Sequence, residues 1–519
     1  MHDGLHCSLI FHTFPGDFLP VSNDDPTSSP YRTPEQPLTE QTAATSGESM
    51  PRDPYSRNEA GIREPPTTVW GSLGYLGPGF ILSASIVGSG ELIATTIVGA
   101  EAGFILMWFI IFSCLVKVTV QIEFGKHAIC SGESTMASLN SLPGPRLGFP
   151  FLRLAKANWS IYGWLLLMVG KMLQVGGIVG GVVLAIAEFF PELNREDNFF
   201  VFCLVTYLVA ASVSLLVFRG YYQLIEKASL IMIGFFTLLT VASLCALQTT
   251  GFAISFNEFA SGLIPSVPSA AIVLIAIGAF GITGVGGDEI MAYNYWLLEK
   301  GYASYAGPCN DSVEWERRAK GWIRIMYIDA LLAMVAYTLM TVMFYLLGAA
   351  ILHRQDMVPE KAELITTLGA MYTDSLGSWA RSLFVIGAFV VLYSTLFAAL
   401  AAWTRMFADA FARVGWFDFG DEAKRRRCIA LCAWVIPIIW ATLFLFMGNP
   451  ALMVLLGGLP TVGILLIVVF AALYFRYWRL DLRMVPTVKY DVALWGSSIA
   501  IAIVAGFGAF DIAKLWLGL

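Results

Sequence analysis

Charged residues are scarce in this sequence, and their scarcity excludes most of what a chain of this length could be. Lys, Arg, Asp and Glu make up 13% of the residues against 57% hydrophobic, with a mean hydropathy of +0.68. Soluble domains carry roughly a quarter charged residues, so most of this chain belongs in lipid and it is not a soluble enzyme. The eight cysteines form no CxxC pair and no zinc-like spacing, which leaves them as small packing residues. Histidine is confined to His2, His6, His12, His127 and His353, none inside an expected span. With no HExxH run and no Ser/Lys dyad either, an intramembrane enzyme is disfavoured and no resident cofactor is expected. The first 68 or so residues are rich in Pro, Ser, Thr, Asp and Glu and lack an apolar stretch followed by a small-residue cleavage site. They read as a disordered cytoplasmic tail.

What is present is a series of long apolar runs. Crossing a bilayer takes about 20 such residues, and runs of that order recur near 73–98, 103–122, 159–187, 199–218, 228–247, 270–298, 325–352, 380–403, 428–447, 451–475 and 492–517. Eleven spans follow. Lys and Arg accumulate on the cytoplasmic side of membrane proteins. With the tail inside, the cytoplasmic loops hold twenty-one basic residues and the external ones only five (Arg195, Arg354, Lys361, Arg381 and Lys514). The N-terminus is therefore expected in the cytoplasm of a protein in the cell membrane, with lipid as its surroundings and no nucleic acid as partner. The sequence carries no signal for an oligomeric state.

Two of the spans are interrupted in the same way. The first reads Val87-Gly88-Ser89-Gly90-Glu91-Leu92-Ile93-Ala94 and the sixth Val285-Gly286-Gly287-Asp288-Glu289-Ile290-Met291-Ala292, with Val, Gly, Glu and Ala identical in place. The octads stand in the first and sixth spans, each half has five helices, and five is odd, so the halves have opposite orientation in the membrane. This is the pattern of an inverted repeat, in which paired broken helices meet near the midplane and bind substrate. The expected organisation is a transporter domain over 69–519, with repeat one about 70–250, repeat two about 265–480 and an extra helix about 491–518. Glycine suits an unwound turn, although tight packing of small residues between helices also explains isolated glycines. The carboxylates favour function, because a charge at the centre of a span costs roughly 2.5–3.5 kcal/mol on insertion scales. Glu91, Asp288 and Glu289 are thus candidate ligands for a hard divalent cation, with Met291 as a softer donor and Val87, Gly88, Ser89, Gly90, Gly286 and Gly287 as the unwound backbone. Capping of half-helix N-termini by Glu91 and Glu289 is the plainer alternative.

Leu76-Gly77-Pro78-Gly79-Phe80 before the first octad and Gly99-Ala100-Glu101-Ala102-Gly103-Phe104 after it resemble the start of the Nramp family of divalent-metal transporters. The resemblance implies an all-α, LeuT-like fold of 5+5 inverted repeats with discontinuous first and sixth helices. That family carries Asp-Pro-Gly-Asn in its first helix and Met-Pro-His in its sixth. Here Gly88-Ser89-Gly90-Glu91 stands against the first motif and Met291-Ala292-Tyr293, followed by Asn294, against the second. Asp329 and Leu459-Pro460 also fall where the family has comparable residues. The first-helix Asp is replaced by Gly88 and the His by Tyr293, while Glu91, Asp288 and Glu289 are gained. More hard oxygen donors make this chain similar to the divergent, Nramp-related magnesium and manganese transporters.

The resulting expectation is a secondary transporter of divalent cations (Mg²⁺ or Mn²⁺ favoured, Fe²⁺ possible), the ion being substrate. An amino acid or amine substrate on the same fold is the alternative, as is a transport-inactive receptor. Lys171, near the middle of the third span, is expected to need a partner among the site carboxylates. Asp329 is expected as a gate or pairing residue at the inner end of the seventh span. Ser394 and Thr395 are candidates to reach a neighbouring ion site. Lys117 and Glu123 are expected to snorkel from the second span to the surface.

Overall fold

A computed structural model describes residues 53–57, 61–149, 154–218, 222–266, 268–359 and 361–517. Residues 1–50, the bulk of the expected tail, lie outside the described residues. The first membrane helix runs from Pro78 through Ile86, continues as π-helix over Val87–Thr95, and resumes over Thr96–Ala102. Next come the second (Met107–Ser131), third (Trp159–Ala187), fourth (Phe199–Phe218) and fifth (Tyr222–Leu247) helices. The sixth is split into Ala270–Ile282 and Gly287–Lys300. The seventh to eleventh span Val313–Leu347, Ala380–Arg413, Glu422–Met447, Pro450–Tyr474 and Val488–Leu517. Nine of these are long and apolar enough to cross a membrane by length and composition. The first, divided by its π segment, and the fifth bring the described helices to the expected eleven.

Three features depart from expectation. The link between the second and third helices holds a small antiparallel hairpin, Arg146–Phe149 with Leu154–Asn158, so the chain is not wholly α. Asn158 pairs with this loop and also caps the third helix, its side chain accepting from the Ser160 amide at 3.0 Å. Second, the second helix continues well past 122 to Ser131, so that His127 lies within it, buried and stacked on Phe475 with ring centroids 3.9 Å apart. Third, residues 53–57 and 61–68, assigned by composition to the disordered tail, pack on the bundle. Tyr55 donates to Glu299 at 2.9 Å, Arg425 to Asp53 at 2.8 Å, and the Trp322 indole to the Arg63 carbonyl at 3.1 Å. Partners hundreds of residues away in the chain hold this polar segment, and local composition carries no trace of them.

The same end of the bundle shows how the first helix is started. Pro78 fits the first helical position, where its missing N–H is no loss. The neighbouring free amides of Gly77 and Gly79 donate at 2.9 and 2.6 Å to the two carboxylate oxygens of Asp329, reaching across from the seventh helix. Tyr293, on the second half of the sixth helix, donates to the same carboxylate at 3.0 Å. Asp329 is fully buried and ties three helices together. Tyr293 is thereby a structural partner of Asp329.

Asp329→Ala strips the buried Gly79 amide and the half-buried Gly77 amide of their acceptor and leaves the Tyr293 hydroxyl only the Met326 carbonyl at 3.5 Å; unpaired buried groups cost about 1–3 kcal/mol each. Thermal unfolding of the detergent-solubilised protein is expected to show a fall of about 3 °C or more. A midpoint unchanged within 1 °C would contradict this role.

Candidate ion site at the two helix breaks

The first octad coincides with the π-helical stretch Val87–Thr95. Wide π turns inside α-helices occur mostly at functional sites, and here two neighbours account for it. The Gly88 amide donates at 3.2 Å to the hydroxyl of Thr395 on the eighth helix. Gly90 lies so close to the sixth helix that an added Cβ would stand 2.5 Å from the Ile282 carbonyl oxygen. Only glycine fits that approach.

The sixth helix breaks outright. Its first half ends at Ile282, Gly284 follows with φ +63°, and the second half begins at Gly287 after Gly286 in extended conformation. The positive φ favours glycine at 284. Asp288 and Glu289 occupy the first turn of the second half, where the helix dipole favours negative charge. A break in a helix within the membrane must find partners for its freed backbone groups. Glu91 supplies one, its Oε1 accepting from the Gly284 amide at 3.2 Å. The two octads therefore meet, the carboxylate of one holding the break beside the other.

Lys171 reaches the second pair of acids from the third helix. Its ammonium is hydrogen-bonded to Asp288 Oδ1, lies 3.7 Å from Glu289 Oε2, and donates to Thr461 on the tenth helix at 3.1 Å. The Trp403 indole donates to the other Asp288 oxygen at 3.0 Å. Asp288 is thus fully committed. Glu91 Oε2 and Glu289 Oε2, by contrast, are buried without a hydrogen-bond partner among the described residues. A cavity of about 10 Å³ beside Asp288 and Glu289 is lined also by Ser85, Ala292, Ala399 and Trp403. That is about the room one water occupies.

The other candidates are distributed around this centre. Met291 is fully buried one turn on, and its carbonyl accepts from Thr135 at 2.7 Å. Asn294 is fully buried, with both side-chain amide atoms unpartnered among the described residues. Ser394 bonds back to the Val391 carbonyl at 2.9 Å, whereas its neighbour Thr395 holds Gly88. Val87, Gly88 and Gly90 lie in the π segment and Gly286 and Gly287 flank the second break; the backbone of Ser89 belongs to the π segment too. No three His, Cys, Asp or Glu side chains converge as a ready-made metal cage among the described residues.

Lys117 is the residue at the breaks that sequence reasoning misplaced. It does not snorkel. The side chain is fully buried in the second helix, with its ammonium hydrogen-bonded to the Phe280 carbonyl and 2.7 Å from that of Thr283. Glu123 stays inside as well, paired with Lys126 at 2.5 Å and accepting from Tyr490 at 2.7 Å. A signal was available: Ser113, Lys117 and Gln121 repeat at intervals of four and share one helix face, a polar stripe unlike a snorkelling residue at a helix end.

These features, a helical membrane bundle with paired interruptions in its first and sixth helices, define a LeuT-fold transporter. Among solved structures, the chain is similar to a manganese transporter from Eremococcus coleocola, in mutant form, with TM-score 0.59 and 15% identity over 89% of this chain and 92% of that one. It is similar also to MhsT in complex with L-phenylalanine, with TM-score 0.52 and 15% identity over 86% and 99%. The closed, bromovinylhydantoin-bound form of the nucleobase-cation-symport-1 family transporter Mhp1 gives 0.52 and 16% over 85% and 91%. At such identities the likeness is one of fold. The model of the Natural resistance-associated macrophage protein-like family, Nramp, matches residues 79–510, and the chain belongs to that family. An uncharacterized protein from Pasteurella multocida is 22% identical over 348 residues, spanning 64% of this chain and 69% of the other.

Removing one partner of a buried ion pair costs about 3–5 kcal/mol because the other charge is stranded. Lys171→Ala is expected to lower the thermal midpoint by about 3 °C or more, and Lys171→Ala combined with Asp288→Asn to recover at least half of that loss. A double variant no more stable than Lys171→Ala would show that the pair is not the source of the effect.

Proposed function

We propose that this chain is a secondary transporter of divalent metal cations, Mg²⁺ or Mn²⁺ before Fe²⁺, working by alternating access around the two interrupted helices. The observation that carries this reading is the pair of buried carboxylate oxygens where the two octads meet, Glu91 Oε2 and Glu289 Oε2, which accept no hydrogen bond among the described residues, Glu289 Oε2 having the Lys171 ammonium 3.7 Å away. Buried polar atoms in native proteins are nearly always satisfied, so a cluster that is not is a place for a ligand or water. Hard oxygen donors suit hard cations. Membership in the Nramp family and the fold shared with a manganese transporter agree with that substrate class.

Lys171 offsets most of the site's negative charge when no ion is bound. With Glu91, Asp288, Glu289, Lys117 and Lys171 all ionised, the cluster holds one net negative charge. A divalent ion moving to Glu91 and Glu289 competes with the Lys171 ammonium for Asp288 and Glu289, and the ammonium returns when the ion leaves. Met291 and Asn294 stand as further donors on the same helix turn, and Tyr293 with Asp329 closes the end where the first helix begins. We place the N-terminus in the cytoplasm on the distribution of basic residues, twenty-one against five in alternate loops.

A second reading keeps the fold and takes an amine-bearing substrate, favoured by one observation: an ammonium group already sits on Asp288 and Glu289. The volume beside them, about 10 Å³, speaks for a bare ion in this conformation.

Reconstituted protein is expected to take up Mn²⁺ and Mg²⁺, with Glu91→Gln and Glu289→Gln each reducing uptake at least tenfold while folding intact. Uptake equal to the parent in both variants sinks the metal assignment. Inhibition of Mn²⁺ uptake by amino acids, with saturable uptake of those amino acids, would move the choice to the second reading.

A further inference from the structure

The first half of the sixth helix ends inside the bundle, and the last carbonyls of any helix lack intrahelical partners. Two groups from the second helix meet them. Lys117 Nζ bonds to the carbonyls of Phe280 and Thr283 and lies 4.6 Å from the centre of the Phe280 ring. Ser113, one turn earlier, reaches the same two carbonyls at 3.2 and 3.4 Å and the Thr283 hydroxyl at 3.0 Å. The Glu91 carboxylate is held against the next residue, Gly284, with Thr341 and Lys117 close by.

Stripped of the lysine, this is a list of cation ligands: two backbone carbonyls at the negative end of a half-helix, two hydroxyls and a carboxylate. Such ends and unwound carbonyls are where LeuT-type carriers coordinate monovalent ions. The ammonium takes up that position, with two of its three protons on the carbonyls. It is also tethered to a helix that carries neither octad, so it cannot be released with the substrate.

We propose that the Lys117 ammonium is the resident cation of a monovalent-cation subsite, so that the protein takes no Na⁺ or K⁺ from solution at this place. The inference rests on the transporter reading. It concerns a different set of atoms from the Glu289 and Lys171 pair, however, and it holds whichever substrate is carried.

The test is thermal unfolding of the purified full chain in detergent, without transported metal, as Na⁺, K⁺ or methylammonium replaces N-methyl-D-glucamine at constant ionic strength. The parent is expected to show no saturable shift with any of them. Lys117→Ala is expected to unfold about 3 °C or more lower, and to regain at least half of that loss, saturably, with Na⁺, K⁺ or methylammonium. Lys117→Met, whose apolar chain fills the space, is expected to stay low with every ion. A saturable Na⁺ or K⁺ shift in the parent overturns the proposal on its own, even if Lys117→Ala proves too unstable to purify. A folded Lys117→Ala protein with no ion-selective response overturns it equally. Since only ion binding is read, failure here is distinct from failure of metal uptake.

Discussion

The burial of five ionisable side chains at the meeting of two interrupted helices is the constraint on which the rest of this structure turns. A single charge taken from water into a low-dielectric interior costs several kcal/mol even after relaxation, and only close partners and hydrogen bonds recover it. Asp288 has Lys171 and the Trp403 indole, Glu91 has the Gly284 amide, and Lys117 has two carbonyls. Each of these partners comes from another helix. The second, third, sixth, eighth and tenth helices are positioned relative to the first by the need to satisfy those groups, and the glycines at 88, 90 and 284 let the backbones come near enough to do it.

The same arrangement accounts for how a site of this kind can change. Packing in a bilayer gains little from burying apolar surface, since lipid is equally apolar, and depends on close contact and interhelical hydrogen bonds. A polar centre with two carboxylate oxygens that accept no hydrogen bond among the described residues, beside the Lys171 ammonium, has more than one way to pair its charges; in the function proposed above, a cation that favours one pairing shifts the balance between conformations. At one end, Asp329 joins the first, sixth and seventh helices, and Glu299 receives Tyr55 and both arms of Arg405. These links tie the helices together there, and alternating access as proposed above would require them to part.

Much of this was legible in the sequence. The repeated octad located both interruptions, because a carboxylate flanked by glycines in an apolar run is costly and therefore informative. Within residues 73–517 apolar run length located the long helices, while short ones such as Leu364–Leu376 left no such run. The nature of the interruptions was less legible: the first is a π-helical widening and the second a true break, a difference set by Thr395 and Ile282, which lie elsewhere in the chain. Lys117 was misread because a lysine stem near a span's end ordinarily reaches for water, and only the carbonyls freed at Phe280 and Thr283 hold it inside. The packed residues 53–68 were misread for the same reason, their partners being distant. The second helix, too, ran past its apolar run to Ser131, where the buried pair of Glu123 with Lys126 continues its packed face.

The account stands or falls on where the transported ion binds. The most direct measurement is anomalous scattering from crystals of the protein grown with Mn²⁺. The account predicts one strong peak between Glu91 and Glu289, within about 2–2.6 Å of their free oxygens as for other hard cations, with the Lys171 ammonium displaced from Glu289. A Mn²⁺ peak elsewhere in the bundle, with Glu91 and Glu289 unliganded, would contradict it.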